Sequence, residues 1–191
     1  MILTDRQVKL LDFVKEAHKD QLRKYTDEPY VTHLIAIADK VIPYIDKYPL
    51  IWEVAICHDL FEDTEVTYRN LYFNLTVFGY LDSEATTICH GVNDLTDRFT
   101  SEEYPDWNRN QRKRSESERL RGISPMSQTV KYADLIDNTS SIVDHDHKFA
   151  EVYLKEKDMY LKAMKDGEWD LFVQAVYTLH YCKTELLNND I

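Results

Sequence analysis

The sequence predicts an all-α protein, and three observations carry that prediction. The 191 residues include only 4 glycines, well below the usual share of about 7%, whereas a turn-rich β fold needs many. Apolar residues recur at three- and four-residue spacing through most of the chain. No segment shows a convincing strand-like alternation of apolar and polar residues. We expect one domain of eight or nine helices, since this length is too short for two full-sized catalytic domains.

The first half of the chain carries signals for five helices. The predicted spans are 4–19, 32–43, 51–61, 67–78 and 82–92. Thr4, with Gln7 three residues later, resembles a capping box, and Thr32 is expected to cap the second helix. Pro49 fits the entry to the third helix, which is nearly all apolar and therefore expected to be central and buried. Gly79 ends the fourth helix.

The second half carries signals for four more helices, after a polar loop over 93–107. The predicted spans are 108–121, 124–143, 148–165 and 168–187. The pair Ser124-Pro125 combines a cap with a first-turn proline and is a strong start signal. Asp166 and Gly167 separate the last two helices, which we expect to form a C-terminal extension over about 147–188.

Composition and charge narrow the function classes. With 23 Lys+Arg against 34 Asp+Glu, the net charge is −11, which repels nucleic-acid backbones, so no nucleic-acid partner is expected. No apolar run approaches the roughly 18 residues of a membrane span, and charged residues stand where a signal peptide would be apolar. We therefore expect no membrane partner and a cytoplasmic location. Neither glycine-rich phosphate loop, GxGxxG or GxxxxGK[ST], is present, so any handling of phosphates must rely on side chains and metals.

The three cysteines, Cys57, Cys89 and Cys182, have no CxxC spacing. They are expected to be reduced core thiols, with no disulfide and no zinc-ribbon role.

The predicted buried helix ends in a cluster of chemically active side chains. His58, Asp59, Glu62 and Asp63 fall within six positions, and their three- and four-residue spacings place them together at one helix end. Three carboxylates this close repel one another unless a cation lies among them. A solvated acidic helix end would explain Glu62 and Asp63 alone. It explains poorly a His-Asp pair directly after an apolar run, because burying unpaired charge is costly.

Two further residues could complete a metal site. His33 lies among apolar neighbours, where a lone histidine is more often a satisfied core residue than a ligand. Asp134 lies in another largely apolar helix and has no evident counter-charge. With His58 and Asp59 they offer two imidazoles and two carboxylates, which suit Mn²⁺, Fe²⁺, Zn²⁺ or Co²⁺ with positions left for water and substrate. The set has no thiolate, so a structural zinc site is not expected.

The order His33, His58-Asp59, Asp134 resembles the pattern of HD phosphohydrolases, in which four residues hold a catalytic divalent metal in a helical domain. The sequence is more closely similar to the Rel/SpoT hydrolase domain and to small alarmone hydrolases. Three segments carry this resemblance, in order and at family-like spacing: AHKDQLRKYTDEPYVTH over 17–33, HDLFEDT over 58–64 and KYADLIDN over 131–138. The resemblance spans about residues 8–145 and implies an HD core there, within a single domain of 1–191.

The resemblance also implies an activity. Members of this family are metal-dependent, usually Mn²⁺-dependent, pyrophosphohydrolases that cleave the 3′-pyrophosphate from guanosine tetra- or pentaphosphate, leaving GDP or GTP. The implied metal ligands are His33, His58, Asp59 and Asp134. The implied residues that position and activate water are Glu62 and Asp63, and the implied nucleotide contacts are Arg23, Lys24 and Asn138.

A basic segment begins the predicted helix over 108–121. Its cations are Arg109, Arg112, Lys113 and Arg114. They include pairs three and four residues apart, so two or three of them share a helix face. One interpretation is a local positive site that attracts the substrate's phosphates. The other is a solvated face on which Glu116 and Glu118 pair with these cations.

Two alternative functions stay open. One is another HD enzyme, acting on a nucleoside monophosphate, an adenosine alarmone or an NADPH-type phosphate; Leu60 and Phe61 replace smaller residues of the family and could reshape the pocket. The other is a non-catalytic nucleotide sensor, which would be expected to have lost a ligand or the acid pair. The sequence does not predict the oligomeric state.

Overall fold

The fold is all-α in the computed structural model, which describes residues 2–189. The helices are α1 Asp5–Ala17, α2 Val31–Val41, α3 Ile51–Cys57, α4 Leu60–Asp63, α5 Tyr68–Phe78, α6 Asp82–Leu95, α7 Arg109–Leu120, α8 Pro125–His145, α9 His147–Ala163 and α10 Trp169–Asn189. With α3 and α4 counted as one interrupted helix, the described residues form nine, so the predicted fold class is confirmed. Among the described residues, no helix is long and apolar enough to cross a bilayer.

The chain divides between Thr96 and Asp97 into two compact units. In the first unit, α3 is central as predicted: all seven of its residues are buried, and it packs against α1, α2 and α6. In the second unit, α8 packs against α9 and α10, while α7 packs on α9. The single-domain organisation, with a core over 8–145 and an extension over 147–188, stays a prediction.

Local sequence sets most of the helix ends. The Gln7 side chain accepts the Thr4 N–H at the start of α1, as expected for a capping box. Gly79 ends α5 with φ 102, in the left-handed region that a residue without Cβ adopts at no steric cost. Ser124 accepts the Ser127 N–H at the start of α8. The three cysteines are buried and form no disulfide within the part of the chain described.

The predicted cap of the second helix is wrong. Helix α2 begins at Val31, with Tyr30 at the cap position and no side-chain cap hydrogen bond. Thr32 lies inside the first turn, and its hydroxyl donates to the Pro29 carbonyl. Because the helix already begins at Val31, Thr32 is a helical residue, and its hydroxyl bonds back to the preceding loop instead of capping the helix start.

Candidate metal centre

His58 and Asp59 lie at a break that the sequence did not predict, since the expected helix over 51–61 is interrupted between α3 and α4. The His58 Nδ1 atom is 2.8 Å from the Ala55 carbonyl oxygen. In a continuous helix that oxygen would accept the Asp59 N–H. The His58 side chain therefore competes with the backbone N–H for this carbonyl oxygen at the break.

His33, His58 and Asp59 come together as a compact donor set. One ligand atom from each lies within 4.8 Å of the other two. The Asp59 Oδ2 atom is 2.9 Å from His58 Nε2 and 3.7 Å from His33 Nε2. Both histidines are 1% exposed, so this is a buried polar cluster that requires compensation for its charge.

The hydrogen-bonding pattern of His58 fits a cation at this point. The Ala55 carbonyl can only accept, so Nδ1 of His58 carries a hydrogen. In a neutral ring, Nε2 is then an acceptor, and it faces a carboxylate oxygen that is also an acceptor. A second proton on the ring or a bound cation would relieve that conflict. One cation beside Asp59 Oδ2 could bind Nε2 of His33 as well, because that nitrogen faces the same oxygen. Histidine ligands of metals are typically oriented in this way, by a carbonyl on the other ring nitrogen.

Tyr30 is part of the centre, and sequence reasoning did not identify it. Its hydroxyl donates to Asp59 Oδ2 at 2.5 Å, a short hydrogen bond of the kind made to a charged acceptor. The ring stacks on His18 at a centroid distance of 5.2 Å and lies 5.4 Å from the ring of His33. Its position three residues before His33 was the signal that could have revealed it, since that spacing places two side chains on one side of a helical turn.

The ring stack of Tyr30 on His18 and two further hydrogen bonds connect this centre to Asp63 of the acid pair. His18 Nδ1 is 2.6 Å from the Gln21 side-chain oxygen, and the Gln21 amide donates to Asp63 Oδ2 at 3.2 Å. Glu62 and Asp63 are both exposed, in the short helix α4. They line an open pocket of about 470 Å³ whose residues are Ala17, Glu62, Asp63, Thr64, Glu65 and Val66. These acids are therefore open to water, beside a cavity large enough for part of a small molecule.

Arg23 and Lys24 lie on the loop that precedes α2. The loop is closed by an isolated antiparallel bridge between Leu22 and Pro29 and by the hydrogen bond from Arg23 N to Glu28 O at 2.8 Å. Arg23 is half-buried and Lys24 is exposed. Both cations are thus held on an ordered loop in the same unit as the donor set. Their assignment as nucleotide contacts stays a prediction.

Asp134 lies on α8 in the second unit and is 6% exposed. The expectation that it lacks a counter-charge is wrong: Lys131 Nζ lies 2.9 Å from Oδ2, and the Asn138 amide donates to Oδ1 at 2.6 Å. The lysine three residues earlier was visible in the sequence at a pairing distance. The assignments of Asp134 as a metal ligand and of Asn138 as a nucleoside contact stay predictions.

The predicted phosphate-binding cations on α7 hold partners within the second unit. Arg109 makes two hydrogen bonds to the Glu156 carboxylate, at 2.6 and 2.9 Å. Lys113 lies 2.6 Å from Asp97, and the Arg112 guanidinium donates to the Trp107 carbonyl. Each of these cations therefore already has a hydrogen-bond acceptor in the second unit, and their role as phosphate contacts stays a prediction.

The alternative interpretation of these cations predicted the wrong ion pairs, because Glu116 and Glu118 pair with other arginines. Glu116 is buried and pairs with Arg119 at 2.5 Å. Glu118 pairs with Arg121 at 3.2 Å. Both acids are thus engaged one turn further along the helix.

Comparison with solved structures identifies the fold. The chain superposes on a metazoan ortholog of SpoT, a protein that hydrolyses ppGpp and plays a role in starvation responses, with a TM-score of 0.76. The match covers 95% of this chain and 97% of that one, at 17% sequence identity. No family model matches the sequence, and a search of characterised proteins finds no match. The resemblance predicted from three short segments is confirmed as a shared all-α fold.

Proposed function

We propose that the protein is a metal-dependent hydrolase that removes the 3′-pyrophosphate of guanosine tetra- or pentaphosphate, giving GDP or GTP and pyrophosphate. The observation that carries this proposal is the buried donor set of His33, His58 and Asp59 in a fold similar to that of a ppGpp-hydrolysing protein. Two imidazoles and a carboxylate are a donor set typical of catalytic transition-metal sites. The guanine base and the 3′ position rest on the sequence resemblance.

The metal proposed is Mn²⁺, with Fe²⁺, Co²⁺ and Zn²⁺ as alternatives, held by His33, His58 and Asp59. By the sequence motif, Asp134 is the fourth ligand. When bound, such an ion supplies Lewis-acid polarisation of a phosphate and lowers the pKa of water. The protein's own contribution is to fix the donors: a backbone carbonyl sets the His58 ring, and the Tyr30 hydroxyl sets the Asp59 carboxylate.

Glu62 and Asp63 are proposed to act on the attacking water. One carboxylate takes the proton while the other orients the water towards the phosphorus next to the ribose 3′-oxygen. The water oxygen bonds to that phosphorus as the bond between the phosphorus and the 3′-oxygen breaks. The ribose oxygen leaves and takes up the proton that the carboxylate accepted, and pyrophosphate is released. The Gln21 amide supports Asp63 in this role, since its hydrogen bond to Oδ2 holds the carboxylate in place.

The substrate contacts proposed are Arg23 and Lys24 for the nucleotide, Asn138 for the nucleoside, and Arg109, Arg112 and Lys113 for the 5′-phosphates. Among the last three, Arg112 is the strongest candidate. A phosphate that binds Arg109 or Lys113 has to compete with a carboxylate already at 2.6 Å. At Arg112 the hydrogen-bond acceptor to be displaced is a neutral carbonyl, and hydrogen bonds to neutral acceptors are weaker than those to ions.

A nucleotide panel tests the proposal, with pyrophosphate and phosphate measured separately, with and without a chelator. We expect pyrophosphate from guanosine tetra- and pentaphosphate, in a metal-dependent reaction. Faster turnover of an adenosine alarmone would reassign the base. Phosphate release from NADPH or from a nucleoside monophosphate would favour another HD hydrolase. Binding of a nucleotide without any product would favour a sensor.

Conservative variants separate binding from chemistry. Glu62→Gln and Asp63→Asn keep the side-chain shape, so they should retain metal and nucleotide while losing roughly 10²–10⁴-fold in rate. Glu65→Gln is the matched control, because Glu65 lines the same pocket and is also exposed. If both variants of the acid pair keep the wild-type rate, the pair is only a solvated helix end. An equal loss in Glu65→Gln would mean that general pocket charge is responsible.

A further inference from the structure

Helix α10 carries a row of large exposed side chains that the proposed function does not use. Its members, hereafter the α10 stripe, are Trp169, Val173, Val176, Tyr177, Tyr181 and Leu187. Trp169, Tyr177 and Leu187 are each about 70% exposed, at 69%, 70% and 69%. The three- and four-residue spacing over most of the row places it along one helix face. The opposite face, with Leu171, Ala175 and Leu179, is buried.

The stripe is mostly uncharged. At 1.5 Å per residue it is about 27 Å long from Trp169 to Leu187, and Asp170, His180, Thr184 and Asn188 are the polar residues exposed on the same face. Asp170, at the end of the row beside Trp169, is the charged one of these positions, although charged residues are 30% of the chain. Single exposed apolar residues are ordinary on a protein surface, whereas a row of large apolar side chains of this length marks an interaction surface.

We propose that the α10 stripe is the interface of a homodimer, in which two copies of α10 pack antiparallel about a two-fold axis. Charge bears on which face a second copy can use. Each chain carries a net charge of −11, so two copies repel each other, and that cost is smallest where the meeting surfaces carry few charges. Tyrosine and tryptophan are also the residues enriched at the centres of protein interfaces.

The area of the stripe agrees with a dimer contact. The aromatic side chains offer roughly 150–250 Å² each, and the aliphatic ones offer less. At the exposures found, the stripe presents roughly 500–700 Å², which reaches the lower end, about 600 Å² per partner, of specific stable interfaces.

The stripe can also pair with a second copy of itself when the two helices run antiparallel, as a two-fold interface requires. With the axis near Thr178, Trp169 at one end of the row meets Leu187 of the partner subunit at the other end. A flat aromatic side chain is thereby matched with a branched aliphatic one at both ends of the interface.

Sedimentation equilibrium on the full chain, with a charge placed in the middle of the stripe, tests this proposal. The wild-type chain should sediment at twice the monomer mass, and Tyr177→Lys should sediment as a folded monomer. Val152→Lys is the matched control and should stay dimeric, because Val152 is 43% exposed on α9 and outside the stripe. The proposal would be overturned if the wild-type chain is monomeric at the highest soluble concentration, or if Tyr177→Lys is dimeric. The α10 stripe would then be a contact surface for a different protein.

Cross-linking supplies a test that does not depend on how Tyr177→Lys folds. Under mild oxidation, Trp169→Cys/Leu187→Cys should form a disulfide-linked dimer, while each single variant should not. The native cysteines are buried, so they should not compete. A linked dimer from Trp169→Cys alone would indicate a parallel arrangement, and no link from the double variant would exclude the antiparallel one; either result overturns the proposal.

Discussion

Removing the Tyr30 hydroxyl tests whether this residue holds the proposed Asp59 ligand. The hydroxyl donates to Asp59 Oδ2 at 2.5 Å, and that same oxygen is 2.9 Å from His58 Nε2. Tyr30→Phe deletes one oxygen atom and keeps the ring that stacks on His18. The change therefore removes the support of the carboxylate while leaving all three proposed ligands from the first unit in the chain.

The size of the effect follows from the geometry. A hydrogen bond to a charged group contributes roughly 1.5–3 kcal/mol. When that group is a metal ligand, loss of its supporting partner typically weakens metal binding roughly 10–100-fold, which corresponds to about 1.4–2.7 kcal/mol. The two estimates agree, so we expect a Mn²⁺ dissociation constant raised at least about 10-fold.

Calorimetric titration of metal-free protein with Mn²⁺ measures this change directly. Tyr104→Phe is the matched control, since Tyr104 is a half-buried tyrosine of the second unit whose loss should leave the dissociation constant unchanged. An unchanged dissociation constant in Tyr30→Phe, with the same stoichiometry, would refute the role given to the hydroxyl. Equal weakening in both variants would point to a general loss of folding rather than to Asp59.

Three further predictions concern stability. Chelation should lower the melting temperature in calorimetry, because an ion at 100 times its dissociation constant stabilises the folded state by about 2.7 kcal/mol; equal melting temperatures with and without EDTA would argue against a bound metal. Burial and the Lys131 charge lower the pKa of Lys157 from 10.5 to about 8, so the unfolded state binds the proton more tightly and the free energy of unfolding rises with pH between those values. In Lys157→Met the free energy of unfolding should no longer rise with pH over this range. At pH 7, urea denaturation should give a free energy of unfolding roughly 1–2 kcal/mol higher than that of the wild type, a figure reduced to allow for solvent screening. A pH profile parallel to that of the wild type would contradict this prediction. Gly91→Ala should lower the free energy of unfolding by about 1–3 kcal/mol in the same assay. The added methyl group would lie 2.7 and 2.8 Å from the Val54 methyl groups, which is too close. Gly122→Ala is its control, with its one close atom at 3.7 Å, and an equal loss there would refute the steric reason.

Local signals predicted most of the fold because helix ends are local events. The Gln7 side chain pairs with Thr4, and Gly79 adopts its left-handed cap, within a few residues of the chain. The break at His58 could not be predicted in the same way. It depends on a side chain that bonds the Ala55 carbonyl, and hydrophobic periodicity carries no information on that choice.

The candidate site was predictable to a different extent. His33, His58 and Asp59 were expected together, and they form one donor set in the first unit. The pairing of Lys131 with Asp134 was visible three residues away and was missed. The ion pair between Arg109 and Glu156 was not visible, because it joins residues on two different helices, α7 and α9, and no local pattern fixes which residues such helices bring together.

Tyr30 was predictable only in part. Its three-residue spacing to His33 indicates that the two side chains are close, but the sequence does not show that its hydroxyl bonds Asp59, because Asp59 lies far along the chain.

Anomalous diffraction from crystals grown with Mn²⁺ tests most directly whether His33, His58 and Asp59 hold a metal. We expect one strong peak within bonding distance of both Nε2 atoms and of an Asp59 carboxylate oxygen, and no peak there in Asp59→Ala. The same map will show whether Asp134 is the fourth ligand. A Mn²⁺ peak elsewhere in the chain, with the direct contact between His58 and Asp59 kept, would contradict the proposed metal centre and the hydrolytic function built on it.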